Sequence, residues 1–155
     1  MLALGSNRGD REVHLRRALS ELSRYISVVT LSSTWETEPV DSPVDAAPFL
    51  NIVIAGWTRL EPLALLEAIG TIERKGGRRR LRRNDPRTID IDILFVGGRA
   101  IRLPGLVVPH PRFHERNFVL EPLREIARTF PIPPFAGELR SMDGKGAVRR
   151  AGRLY

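Results

Sequence analysis

The run Pro86-Arg87-Thr88-Ile89-Asp90-Ile91-Asp92-Ile93-Leu94-Phe95 sets two aspartates in an apolar stretch that alternates with period two. That period predicts a strand with Ile89, Ile91 and Ile93 on one face and Thr88, Asp90 and Asp92 on the other. Two anions two residues apart on one strand face stand about 6–7 Å apart. Aspartate is depleted in strands, and like charges side by side repel. The pair therefore calls for positive charge, and divalent metal bound to an anionic substrate is the natural form of it.

A source of positive charge lies next to it in the sequence. Arg74 to Arg87 holds eight basic residues and one acid, which accounts for the whole net charge of +7. Charge this concentrated points to a localised anion site rather than a uniformly basic surface. Arginine binds phosphate oxygens through its planar fork. Carboxylates for magnesium and arginines for phosphate are the two halves of a phosphoryl-transfer site. On these residues alone two other readings stay open: an exposed face with two inert acids, and a basic loop that grips nucleic acid. The basic loop lacks the interleaved aromatics that stack on single strands.

Other classes are excluded more firmly. The chain has no cysteine, so it has no disulfide frame, zinc-thiolate site or cysteine nucleophile. It has no P-loop, no Gly-x-Gly-x-x-Gly and no Gly-x-Ser-x-Gly elbow. No apolar run reaches the roughly 20 residues that span a bilayer, and no signal-peptide pattern opens the chain. The expectation is a cytoplasmic protein without a membrane or nucleic-acid partner.

The remaining pattern reads β-α-β-β-α-β. Leu2-Ala3-Leu4 predicts a first strand, and Asp10 caps a helix over residues 11–25 whose buried face is Leu15, Ala18, Leu19 and Leu22. Residues 27–36 and 49–58 predict strands, separated by a Pro- and acid-rich loop. Pro62 opens a second helix with a stripe at Leu63, Leu66, Ile69 and Ile72, ended by Gly76-Gly77. Gly97-Gly98 predicts a turn into an extra hairpin strand at 100–103. Residues 104–116 read as a loop, and 118–128 as a C-terminal helix. The fold class expected is α+β, a ferredoxin-like core with an antiparallel sheet. Residues 1–130 form the domain, and 131–155 its Pro-, Gly- and Arg-rich tail, expected to be loosely packed or poorly ordered.

Several segments together resemble one family. Besides residues 86–94 these are Leu4-Gly5-Ser6-Asn7, Phe49-Leu50-Asn51, Val108-Pro109-His110-Pro111-Arg112, and Arg116 with Phe118, Val119 and Leu120. Over residues 2–128 their order and spacing resemble the 6-hydroxymethyl-7,8-dihydropterin pyrophosphokinases of folate biosynthesis. The resemblance implies transfer of pyrophosphate from ATP to the pterin hydroxymethyl group, releasing AMP, with two magnesium ions and a monomeric enzyme. It implies that Asp90 and Asp92 are metal ligands, and that Arg78 and Arg87 hold phosphates in the transition state. Glu73, Arg80, His110 and Arg116 are implied on the nucleotide side. Phe49 and Phe118 are implied as the rings around the pterin, with Thr37, Asn51 and the backbone near Val40 at its polar edge. A loop over about 78–86 is expected to order on nucleotide binding. Asn84-Asp85 stands where some members carry a tryptophan, so a stacking role there does not transfer.

Overall fold

The computed structural model describes residues 1–38, 47–77, 87–133 and 138–155. The elements run β1 (Leu2–Ser6), α1 (Arg11–Leu22), β2 (Ser27–Leu31), β3 (Thr34–Thr37), β4 (Phe49–Trp57), α2 (Pro62–Lys75) and β5 (Asp90–Ile93). They continue with β6 (Ile101–Leu103), β7 (Leu106–Val108), a 3-10 turn at Phe113–Glu115, α3 (Asn117–Ile126) and β8 (Val148–Gly152). The main sheet is ordered β5-β1-β4-β3-β8, with β2 also on β4. The pairings of β1, β4 and β5 are antiparallel. With β2 and β3 taken as one interrupted strand, this is the expected ferredoxin-like order.

Period two divides the sheet into unlike faces. Leu2, Leu4, Ile52, Ile54, Ile91 and Ile93 point to one side, where they pack with Leu15, Leu22, Ile69 and Ile72 from α1 and α2. The side chains between them are smaller or polar: Ala3, Gly5, Asn51, Val53, Asp90 and Asp92. Ala3 and Val53 are covered by Val119, Leu120 and Leu123 of α3. The part of this face beyond α3 carries Gly5, Asn51 and the aspartates.

Local signals account for the helices. Asp10 Oδ1 accepts from Val13 N at 3.0 Å, and the four apolar positions expected in α1 are buried. Pro62 stands in the first turn of α2, and Gly77, at φ +85°, follows its end. The apolar stripe of α2 differs from expectation. Leu65, Ala68, Ile69 and Ile72 are buried, whereas Leu63 is 50% exposed. Steps of three lag behind a 3.6-residue turn, so nine residues on, Ile72 faces about half a turn away from Leu63.

Four further expectations are corrected. The 27–36 strand breaks at Ser32-Ser33, where Ser32 Oγ accepts from Val53 N and Ser33 N turns to Glu125. The aspartate strand is shorter than 86–95, because Arg87 bonds to Asn7 and Thr88 Oγ1 donates to the Gly76 carbonyl. The strand at 101–103 pairs with β7 across Gly105, at φ +79°, rather than returning along β5. The residues after 131 contribute β8, which pairs with β3, and bury Leu139 and Leu154. The partner of β8 is distant in sequence, so that pairing leaves no local signal.

Candidate active site

Asp90 and Asp92 stand opposite the smallest residues of β1: the register pairs Gly5 with Asp90 and Ala3 with Asp92. Little side-chain bulk therefore stands beside the carboxylates. On the other edge of β1, Gly5 pairs with Asn51. A Cβ at position 5 would come within 2.9 Å of Asn51 Oδ1, so the buried amide needs glycine there.

Asn51 is oriented by its neighbours. Its Nδ2 donates to Trp35 O at 3.3 Å and to Thr37 Oγ1 at 3.1 Å. Both bonds use the same end of the amide and leave the oxygen on the Gly5 side. Thr37, Asn51, Phe49 and Phe118 line a cavity of about 270 Å³. Asp90, Asp92, Arg87 and Arg116 line the same cavity. Residues implied for the pterin and residues implied for the phosphates thus share one space.

Each aspartate already faces an arginine. The Arg87 guanidinium is bonded to Asp90, and Arg116 Nη1 lies 3.3 Å from Asp92 Oδ2. The charge problem posed by the sequence is met in this way. Arg116 also lies over the Phe118 ring, 5.5 Å from its centroid, a cation–π contact that links the two halves of the cavity. The backbone of Arg87 is pinned by Asn7, whose Oδ1 accepts from Arg87 N at 2.7 Å.

His110 also approaches Asp92. Its Nε2 lies 3.8 Å from Asp92 Oδ2, and its Nδ1 accepts from Arg112 N at 3.2 Å. With Nδ1 an acceptor, the proton of the neutral ring belongs on Nε2, facing the carboxylate. Burial lowers the His110 pKa below the ordinary 6.5, aided by Arg116 and Arg112 and opposed by Asp92 and Asp90. The neutral imidazole is therefore favoured at neutral pH.

Glu73 is placed differently. It is buried on α2, and its Oε1 accepts from Ile91 N at 2.9 Å, bracing the backbone between the two aspartates. It does not line the cavity. Arg78, Arg80, Val40 and the 78–86 loop lie outside the described residues. The functional reading of the sequence gave no role to Asn7 or Gly5, although both fall in the Leu4–Asn7 segment. It also missed Lys145, which lines the cavity from the C-terminal segment.

The donor set suits magnesium. Among the described residues no group of three or more metal-ligating side chains occurs, but Asp90 and Asp92 present hard oxygen donors to one cavity. Magnesium takes one or two carboxylates and completes its shell with phosphate oxygens and water.

The 7,8-dihydro-6-hydroxymethylpterin-pyrophosphokinase (HPPK) family model matches residues 1–128. The 2-amino-4-hydroxy-6-hydroxymethyldihydropteridine pyrophosphokinase of Bacillus subtilis is 46% identical over 129 residues, covering 82% of this chain and 77% of that one. The Haemophilus influenzae protein of the same name is 40% identical over 134 residues, covering 85% and 83%. A solved HPPK-DHPS structure described as in complex with substrates superposes with a TM-score of 0.61 at 18% identity. That superposition covers 91% of this chain and 42% of the larger one, and shows the likeness of fold.

Proposed function

This chain belongs to the 7,8-dihydro-6-hydroxymethylpterin-pyrophosphokinase family, and we propose that the cavity beside Asp90 and Asp92 is where it transfers pyrophosphate from ATP to 6-hydroxymethyl-7,8-dihydropterin. The reaction releases AMP and serves folate biosynthesis. One observation carries the assignment: Asp90, Asp92, Phe49, Asn51 and Phe118 line one cavity of about 270 Å³.

Within it Phe49 and Phe118 flank the flat pterin ring, a surface suited to aromatic stacking. Asn51 and Thr37 meet its polar edge, held in register by their mutual hydrogen bond. Asp90 and Asp92 hold magnesium, two ions in this reading. When bound, the metal neutralises phosphate charge and polarises the phosphoryl group under attack.

The arginines give the site its charge logic. In this structure Arg87 and Arg116 each neutralise one aspartate. With ATP and its metal bound, Asp90 and Asp92 would hold the metal, and Arg87 and Arg116 would be free to turn to the phosphates. Net charge in the cavity stays balanced, and the guanidiniums are already present where negative charge develops in the transition state. Neutral His110 offers its Nε2 proton to a phosphate oxygen. Arg78, Arg80 and Glu73 on the nucleotide side, and Val40 on the pterin side, are assigned by family resemblance.

Action as a monomer is assigned by family resemblance. Among the described residues no helix is long and apolar enough to cross a membrane. The test is to incubate the protein with ATP, magnesium and 6-hydroxymethyl-7,8-dihydropterin and identify the nucleotide formed. AMP produced in step with pterin consumption is expected. ADP, or no nucleotide product from a folded sample, contradicts the assignment.

A further inference from the structure

The family match ends at residue 128, but the cavity wall does not. Lys145 and Gly146, from the turn that precedes β8, line it beside Arg116 and Phe118. This turn is fastened to the start of α3 by four hydrogen bonds. Lys145 N donates to Glu115 O at 2.8 Å, and Asn117 N donates to Lys145 O at 3.2 Å. The Asn117 side chain grips both flanks: Oδ1 accepts from Gly144 N at 3.1 Å, and Nδ2 donates to Gly146 O at 3.0 Å.

Glycine is required on each side of Lys145. A Cβ on Gly144 would stand 2.7 Å from Asn117 N and 2.9 Å from the Arg116 carbonyl carbon, and backbone cannot yield. Gly146 has φ +91°, which other residues rarely adopt. The Gly-Lys-Gly sequence is thus a fitted turn with its backbone locked against Arg116 and Asn117.

The side chain it carries is differently situated from the other cations on the wall. Arg87 is engaged by Asp90 and Arg116 by Asp92. Lys145 is exposed, and among the described residues no ion pair engages it. Glu115 feels it only as a weak, longer-range charge. The pterin ring is neutral, so the anionic partners the reaction brings to this cavity are phosphates.

We propose that Lys145 is a further substrate-facing cation, one that holds the diphosphoryl group as ATP's β- and γ-phosphates before transfer and as the pterin diphosphate after it. The proposal rests on the assignment of this cavity as the transfer site. Lysine suits the role because its ammonium is a compact charge on a flexible stem with three donors. It can follow phosphates as they pass from nucleotide to pterin, while Arg116 is tied to Asp92 and Phe118.

The test compares wild-type protein with Lys145→Ala and Lys145→Arg by titration calorimetry with magnesium present. The ligands are 6-hydroxymethyl-7,8-dihydropterin and its diphosphate. Lys145→Ala is expected to weaken the diphosphate about tenfold, the scale of one charge-assisted contact. It should leave the neutral pterin and the thermal midpoint unchanged, and Lys145→Arg should restore most of the loss. Unchanged diphosphate affinity in Lys145→Ala overturns the proposal. So does an equal loss for the neutral pterin, which would make the turn a wall for the ring. Wild-type protein that forms no AMP refutes the cavity assignment itself, a result separate from either of these.

Discussion

Asn7 and Arg87, 80 residues apart, hold each other by two backbone-directed hydrogen bonds. Arg87 N donates to Asn7 Oδ1 at 2.7 Å, and Asn7 N donates to Arg87 O at 3.1 Å. The end of β1 therefore fixes where the Arg87 guanidinium starts, and that guanidinium sits on Asp90.

Removing the Asn7 side chain strands the Arg87 amide. Asn7→Ala is expected to cost about 1 kcal/mol, the scale of one hydrogen bond lost at a part-buried donor. It should also lower turnover, because Arg87 loses its anchor. Urea unfolding and AMP formation check the two effects. An unchanged unfolding midpoint contradicts the first.

Glu125 on α3 joins that helix to the interrupted strand. It accepts from Ser33 N at 3.0 Å, Ser33 Oγ at 2.8 Å and Trp35 Nε1 at 3.3 Å. The Trp35 carbonyl in turn receives Asn51 Nδ2. Glu125→Ala should therefore destabilise the fold by about 2–3 kcal/mol and weaken pterin binding through Asn51. Burial alone would raise the Glu125 pKa, but the bonds from Ser33 and Trp35, with Arg150, lower it below the ordinary 4.5. A lowered carboxyl pKa gives stability that is complete above 4.5 and is lost as pH falls through the folded value. Glu125→Gln should flatten that acid limb in denaturation measured across pH, and an unaltered limb contradicts the account.

His110 makes the opposite kind of group titrate. Its folded pKa lies below the unfolded 6.5, chiefly through burial. As pH falls through 6.5 the unfolded chain takes the proton first, so the fold loses stability on the acid side of that value. In the ligand-free protein His110→Asn should remove this component. An identical slope below pH 6.5 in the variant contradicts it.

Ser6 is fully buried, and its Oγ has no hydrogen-bond partner among the described residues. Ser6→Ala removes a desolvated hydroxyl and is expected to gain about 1 kcal/mol. Thermal unfolding of the ligand-free protein measures it, and a lower midpoint contradicts the expectation.

What the sequence reveals follows the range of the interaction. The alternation around Asp90 and Asp92, the Asp10 cap and Pro62 at the start of α2 are local signals, and each is realised. The buried face of α2 depends on what packs against it, and a stripe chosen at three-residue steps chose Leu63 wrongly. The break at Ser32-Ser33 exists because Glu125 and Val53 supply the partners. At the site, resemblance picked Phe49, Asn51, Phe118 and the aspartates, which share the cavity. Lys145 had no such signal, since it lies past the matched residues and reaches the cavity only through β8 and the Asn117 clamp.

In the proposed reaction the carboxylates of Asp90 and Asp92 would hold the metal that accompanies ATP. The most direct test of this claim is the rate of AMP formation by Asp92→Asn at saturating ATP, magnesium and 6-hydroxymethyl-7,8-dihydropterin. The substitution keeps shape and an acceptor for Arg116 while removing the charge. A fall of at least about 100-fold in a folded protein is predicted, the scale of losing one transition-state contact. Turnover at the wild-type rate would contradict the claim.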